Sequence, residues 1–164
     1  MDTKLREVMV YLLKNYPFKA ELSNARLTKL IYLADWKSAL KYKRQITGTR
    51  WKFDNYGPFV WDVFITATSF PAIFEVENGT NSYGEKKTLI KLSDEKYQTN
   101  LSNEEKAILD FVINSTKPLN WSGFIQLVYS TFPILISERN SYLDLVELAN
   151  LKEKFKIKGN KTEE

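Results

Sequence analysis

The chain has 164 residues and a formal charge of +4, and 43% of its residues are hydrophobic, which is typical of one globular domain with a sizeable core. It contains no Cys, which excludes a disulfide framework and a thiolate metal site and fits a reducing compartment. It contains no His either, which removes the usual general base and the commonest transition-metal ligand. The mild positive charge is compatible with a nucleic acid or an acidic protein partner and identifies neither.

The first 42 residues predict two helices. Apolar residues at helical spacing between Leu5 and Tyr16 indicate an amphipathic helix that Pro17 ends. A second apolar stripe begins at Leu27 and predicts a helix that runs to about Tyr42, where its last turn is basic.

The next segment changes character and predicts a short strand followed by a turn. Aromatic and β-branched residues between positions 46 and 56 favour the strand, and Gly57-Pro58 follows it. Gly57 permits a positive φ, and Pro58 suits the first position of a helix, where its missing N–H costs nothing. We therefore expect a structural turn at Gly57 and Pro58 and a helix over roughly 58–69, ending before Pro71.

Residues 73–92 predict a β-hairpin, because apolar and charged residues alternate on both sides of a polar, glycine-containing tip.

The C-terminal half predicts helices. Ser102-x-x-Glu105 and Ser141-x-x-Asp144 match the capping box that opens a helix, and residues 121–128 between them carry apolar side chains at helical spacing. The sequence as a whole predicts an α+β fold that is predominantly α-helical, with about six helices and a small antiparallel sheet or hairpin. We expect a single domain over residues 1–158 and a frayed polar tail over 159–164.

No stretch approaches the ~18 apolar residues needed to span a bilayer, and charges interrupt the N-terminal segment. We expect a cytoplasmic protein that does not contact a membrane.

The segment around Gly57 holds more aromatic side chains than one short helix can bury. Phe59 and Phe64 are expected on the inner face of the predicted helix, but Trp51, Tyr56 and Trp61 cannot all point inward with them. Exposed aromatic side chains near a turn are typical anchors of protein interfaces. The predicted partner-binding residues are Trp51, Lys52, Tyr56 and Trp61.

The sequence offers no convincing catalytic site. Glu75 and Glu77, or Asp54 and Asp62, could form a carboxylate pair, but acids that alternate on a hairpin are usually its solvated face. No nucleophile motif and no phosphate-binding glycine loop is present. We predict no enzyme activity, no catalytic residue, no metal and no cofactor.

Nucleic-acid binding is the alternative hypothesis. Six basic residues fall between positions 37 and 52, and helices with a hairpin suggest a winged helix-turn-helix. However, "FIQLVYSTFPILISER" is apolar with one Arg near its end, whereas a recognition helix needs several basic or amide side chains. DNA is thus the less favoured partner.

Two motifs resemble the Panacea domain family, the SocA-like antitoxins and their phage-associated relatives. "LTKLIYLADW" is followed about twenty residues later by "WKFDNYGPFVWDVF", and "LSNEEKAILDFVINS" resembles the second helical block of the family. The residues that match the pattern are Leu27, Lys29, Leu30, Tyr32, Tyr56, Gly57 and Pro58.

This resemblance implies a mostly α fold with a small sheet and no enzyme activity. It implies a protein that binds and neutralises a cognate toxin encoded by the neighbouring gene. In SocA-like members it also implies delivery of that toxin to a protease.

Overall fold

A computed structural model describes residues 2–162, with side chains described for residues 2–158. Within that range the fold is α+β and mostly helical, as predicted, with seven α-helices and four short strands. The helices are α1 (Thr3–Asn15), α2 (Asn24–Tyr42), α3 (Asp62–Ser69), α4 (Asn103–Thr116), α5 (Trp121–Tyr129), α6 (Phe132–Ile136) and α7 (Leu145–Thr162). The strands are β1 (Lys52–Asp54), β2 (Gly57–Phe59), β3 (Phe74–Thr80) and β4 (Lys86–Leu92), and a 3-10 turn covers Lys19–Glu21.

Helix α2 is the central element of the core. It contacts α1, α3, α4 and α7 and the strands β2 and β4. Every residue from 26 to 36 is buried, so this helix has no solvent-facing stripe over three turns. A helix that is enclosed all round normally carries apolar side chains only, and the charged residues within it therefore need a physical explanation. None of the helices in the described part of the chain is long and apolar enough to cross a bilayer.

The hairpin β3–β4 confirms the prediction for residues 73–92. Its antiparallel register runs from Phe74 opposite Leu92 to Thr80 opposite Lys86. Phe74 and Ile90 are buried on the inner face, whereas the side chains of Glu75 and Glu77 lie on the exposed face, as expected for a half-solvated hairpin.

The hairpin β1–β2 corrects the predicted role of Pro58. Pro58 lies in strand β2 opposite Phe53 and does not start a helix, and α3 begins only at Asp62. The N–H of Phe53 donates to the Ser141 carbonyl, and its own carbonyl accepts from the Asn140 N–H, so β1 pairs with residues 140–142 on its other side. Phe53 needs no hydrogen bond from Pro58, which explains how this strand tolerates a residue without an N–H.

Of the two capping boxes that the sequence predicts, one is present in the structure and the other is not. The capping box of Ser102 and Glu105 opens α4, as predicted. The predicted box at Ser141 is wrong, because α7 begins at Leu145 and the Asp144 carboxylate accepts from the Glu147 N–H.

The C-terminal helix continues past the predicted boundary of the tail. Helix α7 extends to Thr162, so the backbone of residues 159–162 is helical where the sequence predicts a frayed tail. Residues 163–164 lie outside the described residues.

Candidate partner-binding surface

The base of the β1–β2 hairpin is organised by a buried carboxylate. Asp35, on α2, is fully buried and accepts four hydrogen bonds from the connection to β1. The donors are the Ile46 N–H at 3.0 Å, the Thr47 N–H at 2.9 Å, the Thr47 hydroxyl at 2.5 Å and the Trp51 Nε1–H at 2.9 Å. One side chain thus fixes residues 46–51 against the central helix.

These contacts correct the prediction for Trp51. The indole is fully buried, stacks edge-on against Tyr32 at a centroid distance of 5.6 Å and donates to Asp35. An indole that is enclosed in this way cannot anchor a partner. Trp51 is a structural residue, because its N–H completes the hydrogen bonding of a buried acid.

The protonation of Asp35 is set by two opposing effects. Burial raises the pKa of its carboxyl group to about 6, because desolvation penalises the anion, while the hydrogen bonds from Thr47, Trp51 and Ile46 favour the anion. The carboxylate is therefore ionised at neutral pH, and the four donors around it stay satisfied.

The tip of the same hairpin is a tight turn that packs against α5. A two-residue turn, Asn55-Tyr56, joins the strands, and Gly57 has the positive φ that the sequence predicts, at 100°. A Cβ at Gly57 would lie 3.4 Å from the Tyr129 ring, so α5 supports the tip closely from one side. Tyr56 is 82% exposed.

The side chain of Trp61, which follows β2, is also exposed, with a relative exposure of 62%. It packs edge-on against Phe59 at 5.2 Å and against Phe64 at 6.3 Å between centroids. Ile65, one helical turn after Trp61, is also exposed. We call Tyr56, Phe59, Trp61, Phe64 and Ile65 the aromatic surface.

Trp61 occupies the N-cap position of α3 without any capping hydrogen bond from its side chain. Ser, Thr, Asp and Asn are strongly preferred at this position because their side chains satisfy a helix N–H. The Trp61 ring therefore satisfies no N–H of α3 and remains mostly exposed.

A buried lysine lies below the aromatic surface. Lys29, on α2, is only 2% exposed, and its ammonium lies 5.9 Å from the centre of the Phe59 ring. Burial lowers its pKa to about 8, and the attraction of Asp54 opposes this shift. From the sequence, Lys29 stands out only as part of the family motif. The available signal was a lysine between Leu27 and Leu30 on the apolar stripe of the helix.

Lys52, the remaining predicted binding residue, is half-buried and lies opposite Phe59 in the hairpin. Its ammonium is 6.0 Å from the Tyr142 ring. The structure therefore brings Lys52 beside the aromatic surface with Tyr56 and Trp61, and excludes Trp51 from it.

The basic residues that suggested nucleic-acid binding are distributed over several elements. Lys43 pairs with Glu153 on α7 at 2.8 Å, and Arg44 lies 3.4 Å from Glu104 on α4. The Arg50 guanidinium stacks on Tyr142 at 3.6 Å. Intramolecular contacts thus engage the cations that a DNA backbone would need. In the part of the chain that the structure describes, no group of acids is placed to hold a metal ion.

Comparison with known proteins agrees with this description. The model of the family described as "Antitoxin SocA-like, Panacea domain" matches residues 27–132, which include most of α2, both hairpins, α3, α4 and α5. Because the match covers well over half of the chain, the protein belongs to this family of antitoxin-like domains. No curated protein and no solved structure matches the chain.

Proposed function

We propose that this protein is an antitoxin that binds and neutralises a toxin encoded beside it, and that the aromatic surface is where the toxin docks. Membership of the SocA-like family supports the antitoxin role in general. The single observation that carries the assignment of the surface is Trp61, an exposed indole held at an uncapped helix start.

The chemistry of the aromatic surface supports a protein partner. Trp and Tyr supply large contact areas at small cost in side-chain entropy, and they are enriched among residues that dominate binding energy. The tip and the start of α3 present them on a hairpin and a helix that contact the central helix α2, so a partner would meet a preformed surface.

We further propose that the protein, as an antitoxin, delivers the bound toxin to a protease. A delivery adaptor needs a second surface that stays free when the toxin is bound. The β3–β4 hairpin, whose outer face is polar and whose Tyr83 at the tip is exposed, is the element we propose for that contact.

The experiment is co-expression with the neighbouring reading frame under independent promoters. The proposal predicts that this frame arrests growth alone and is harmless with the wild-type chain. The Tyr56→Ala/Trp61→Ala variant should fail to restore growth although it accumulates as folded protein.

Leu135→Ala is the matched control, because Leu135 is an exposed apolar residue on α6, outside the aromatic surface. It should restore growth fully. A neighbouring frame that is harmless alone, or a double variant that restores growth like the wild type, would contradict the proposal.

A further inference from the structure

Lys29 is a charged side chain that the fold encloses without a partner. Among the described residues, its ammonium forms no ion pair and no hydrogen bond. Its contacts of note are the face of Phe59 and a longer-range attraction to Asp54 on β1. A buried ammonium in this state is costly, because desolvation is not offset by hydrogen bonds.

Other buried charged side chains have hydrogen-bond partners within the fold. The Arg26 guanidinium donates to the Leu119 carbonyl at 2.9 Å and lies 3.6 Å from Glu21. The Glu7 carboxylate accepts from the Tyr97 hydroxyl and the Asn100 N–H. The fold therefore provides partners for buried charges elsewhere, and Lys29 is an exception that lies next to the aromatic surface.

The position of Lys29 suggests a role in binding. The Phe59 ring lies 5.9 Å from the Lys29 ammonium and 5.2 Å from the exposed Trp61 ring, so the ammonium neighbours the proposed docking surface. A carboxylate that enters beside Phe59 would meet a largely dehydrated cation that has no competing ion pair. In a partly dehydrated setting, a charge-assisted hydrogen bond of this kind is stronger than at an open surface.

We propose that Lys29 is the recognition point for a carboxylate of the bound partner, which completes its hydrogen bonding when the two proteins associate. The inference rests on the proposed function, because it names the chemistry that the toxin presents to the same surface. The carboxylate is either an Asp or Glu side chain or the C-terminal carboxylate of the partner.

The test compares Lys29→Met with the wild type in two measurements. Met keeps most of the length of the side chain and removes the charge, so the midpoint of thermal unfolding should rise by several degrees. The affinity for the purified product of the neighbouring frame, measured by calorimetry, should fall by at least about 30-fold. Lys96→Met, at an exposed lysine, controls for net charge and should bind within about threefold of the wild type.

Two results would overturn the inference. If Lys29→Met binds as tightly as the wild type, the ammonium recognises nothing on the partner. If Lys29→Met melts at a lower temperature than the wild type, Lys29 already has a favourable role inside the fold. If the wild-type chain does not bind the neighbouring product, both the proposed function and the inference are wrong. If the wild type binds and Lys29→Met binds with the same affinity, only the inference is wrong.

A further arm identifies the source of the carboxylate. The neighbouring product is tested with a short Gly-Ser extension at its C-terminus. If the terminal carboxylate is the ligand, the extension should remove the affinity difference between the wild type and Lys29→Met. If an acidic side chain is the ligand, the difference should persist.

Discussion

Two buried charges on the same helix, six residues apart, have opposite surroundings. Asp35 at the base of the β1–β2 hairpin accepts four hydrogen bonds and holds the connection to β1 in place. Lys29, whose ammonium lies beside Phe59 of β2, has no such partner within the described residues. Both are enclosed, so exposure alone does not distinguish a structural charge from one with another role.

The same contrast extends to the two tryptophans of the region. Trp51 belongs to the base, where its N–H is satisfied and its ring is packed. Trp61 lies beyond the end of β2, at the start of α3, where its ring is exposed and its position forgoes a helix cap. Trp51 therefore contributes to the fold, whereas the Trp61 ring remains available to a partner.

The largest effect is expected at the base. Asp35→Ala removes the acceptor for four donors, and unsatisfied buried donors cost about 1–3 kcal/mol each. Because some of them will find water, we expect a loss of about 3–5 kcal/mol in the free energy of unfolding, measured by urea denaturation at pH 7. A variant that unfolds at the wild-type urea concentration would show that the network contributes little to stability.

The second effect is the dependence of stability on pH that Lys29 contributes. In the fold its pKa is lowered from 10.5 to about 8, so between these values the unfolded chain binds more protons than the folded one. The contribution of Lys29 to stability therefore rises with pH across this window, by about 3 kcal/mol in total.

The measurement is the difference in unfolding free energy between Lys29→Met and the wild type from pH 7 to pH 10.5. The variant should be the more stable protein at pH 7, and the difference should close as the pH rises. A difference that does not change with pH would show that Lys29 titrates normally and is not desolvated.

A smaller loss of stability is expected at the tip. Gly57→Ala places a Cβ at a positive φ, which should cost about 1–3 kcal/mol in thermal unfolding, while the 3.4 Å approach of that Cβ to the Tyr129 ring is an ordinary van der Waals contact. Gly84→Ala is the control, because Gly84 also has a positive φ but nothing lies within 4 Å of its Cβ. If the two variants lose equal stability, the close support of the tip by α5 has no energetic consequence.

The smallest effect on stability is expected at Trp61. Trp61→Asn provides a side chain that can cap α3, a gain of about 1 kcal/mol. The loss of two edge-on ring contacts opposes it, at about 0.5–1.5 kcal/mol each. The melting temperature should therefore change by only a few degrees, and a loss as large as that of a core Phe→Ala change would place Trp61 in the core.

The sequence predicts the helices and the β3–β4 hairpin well, because helical spacing, a capping box and strand alternation are local signals. It fails at Pro58 because the pairing of β1 with residues 140–142 is a contact between distant segments, and that contact makes a proline acceptable in a strand. It fails at Ser141 because Asp144, closer to the start of the apolar pattern, provides the cap instead.

The sequence likewise predicts only part of the candidate site. Local sequence indicates an excess of aromatic side chains and the turn at Gly57, and it proposes Tyr56 and Trp61 as binding residues, whose side chains are exposed in the structure. It cannot assign Trp51 to the core, because the acid that receives its N–H lies sixteen residues earlier on another element. It also cannot show that Lys29 is enclosed, since that follows from the packing of β2 and α3 on α2.

The most direct test of the account is the dissociation constant of the complex with the neighbouring gene product, measured together with the melting temperature of each variant. We predict that Tyr56→Ala/Trp61→Ala weakens binding by at least about 30-fold, or 2 kcal/mol, with a melting temperature within a few degrees of the wild type. Leu135→Ala, at a residue that is 71% exposed on α6, should leave both quantities unchanged. Equal affinity for the double variant and the wild type, or an equal loss for Leu135→Ala, would contradict the claim that the aromatic surface is the binding surface.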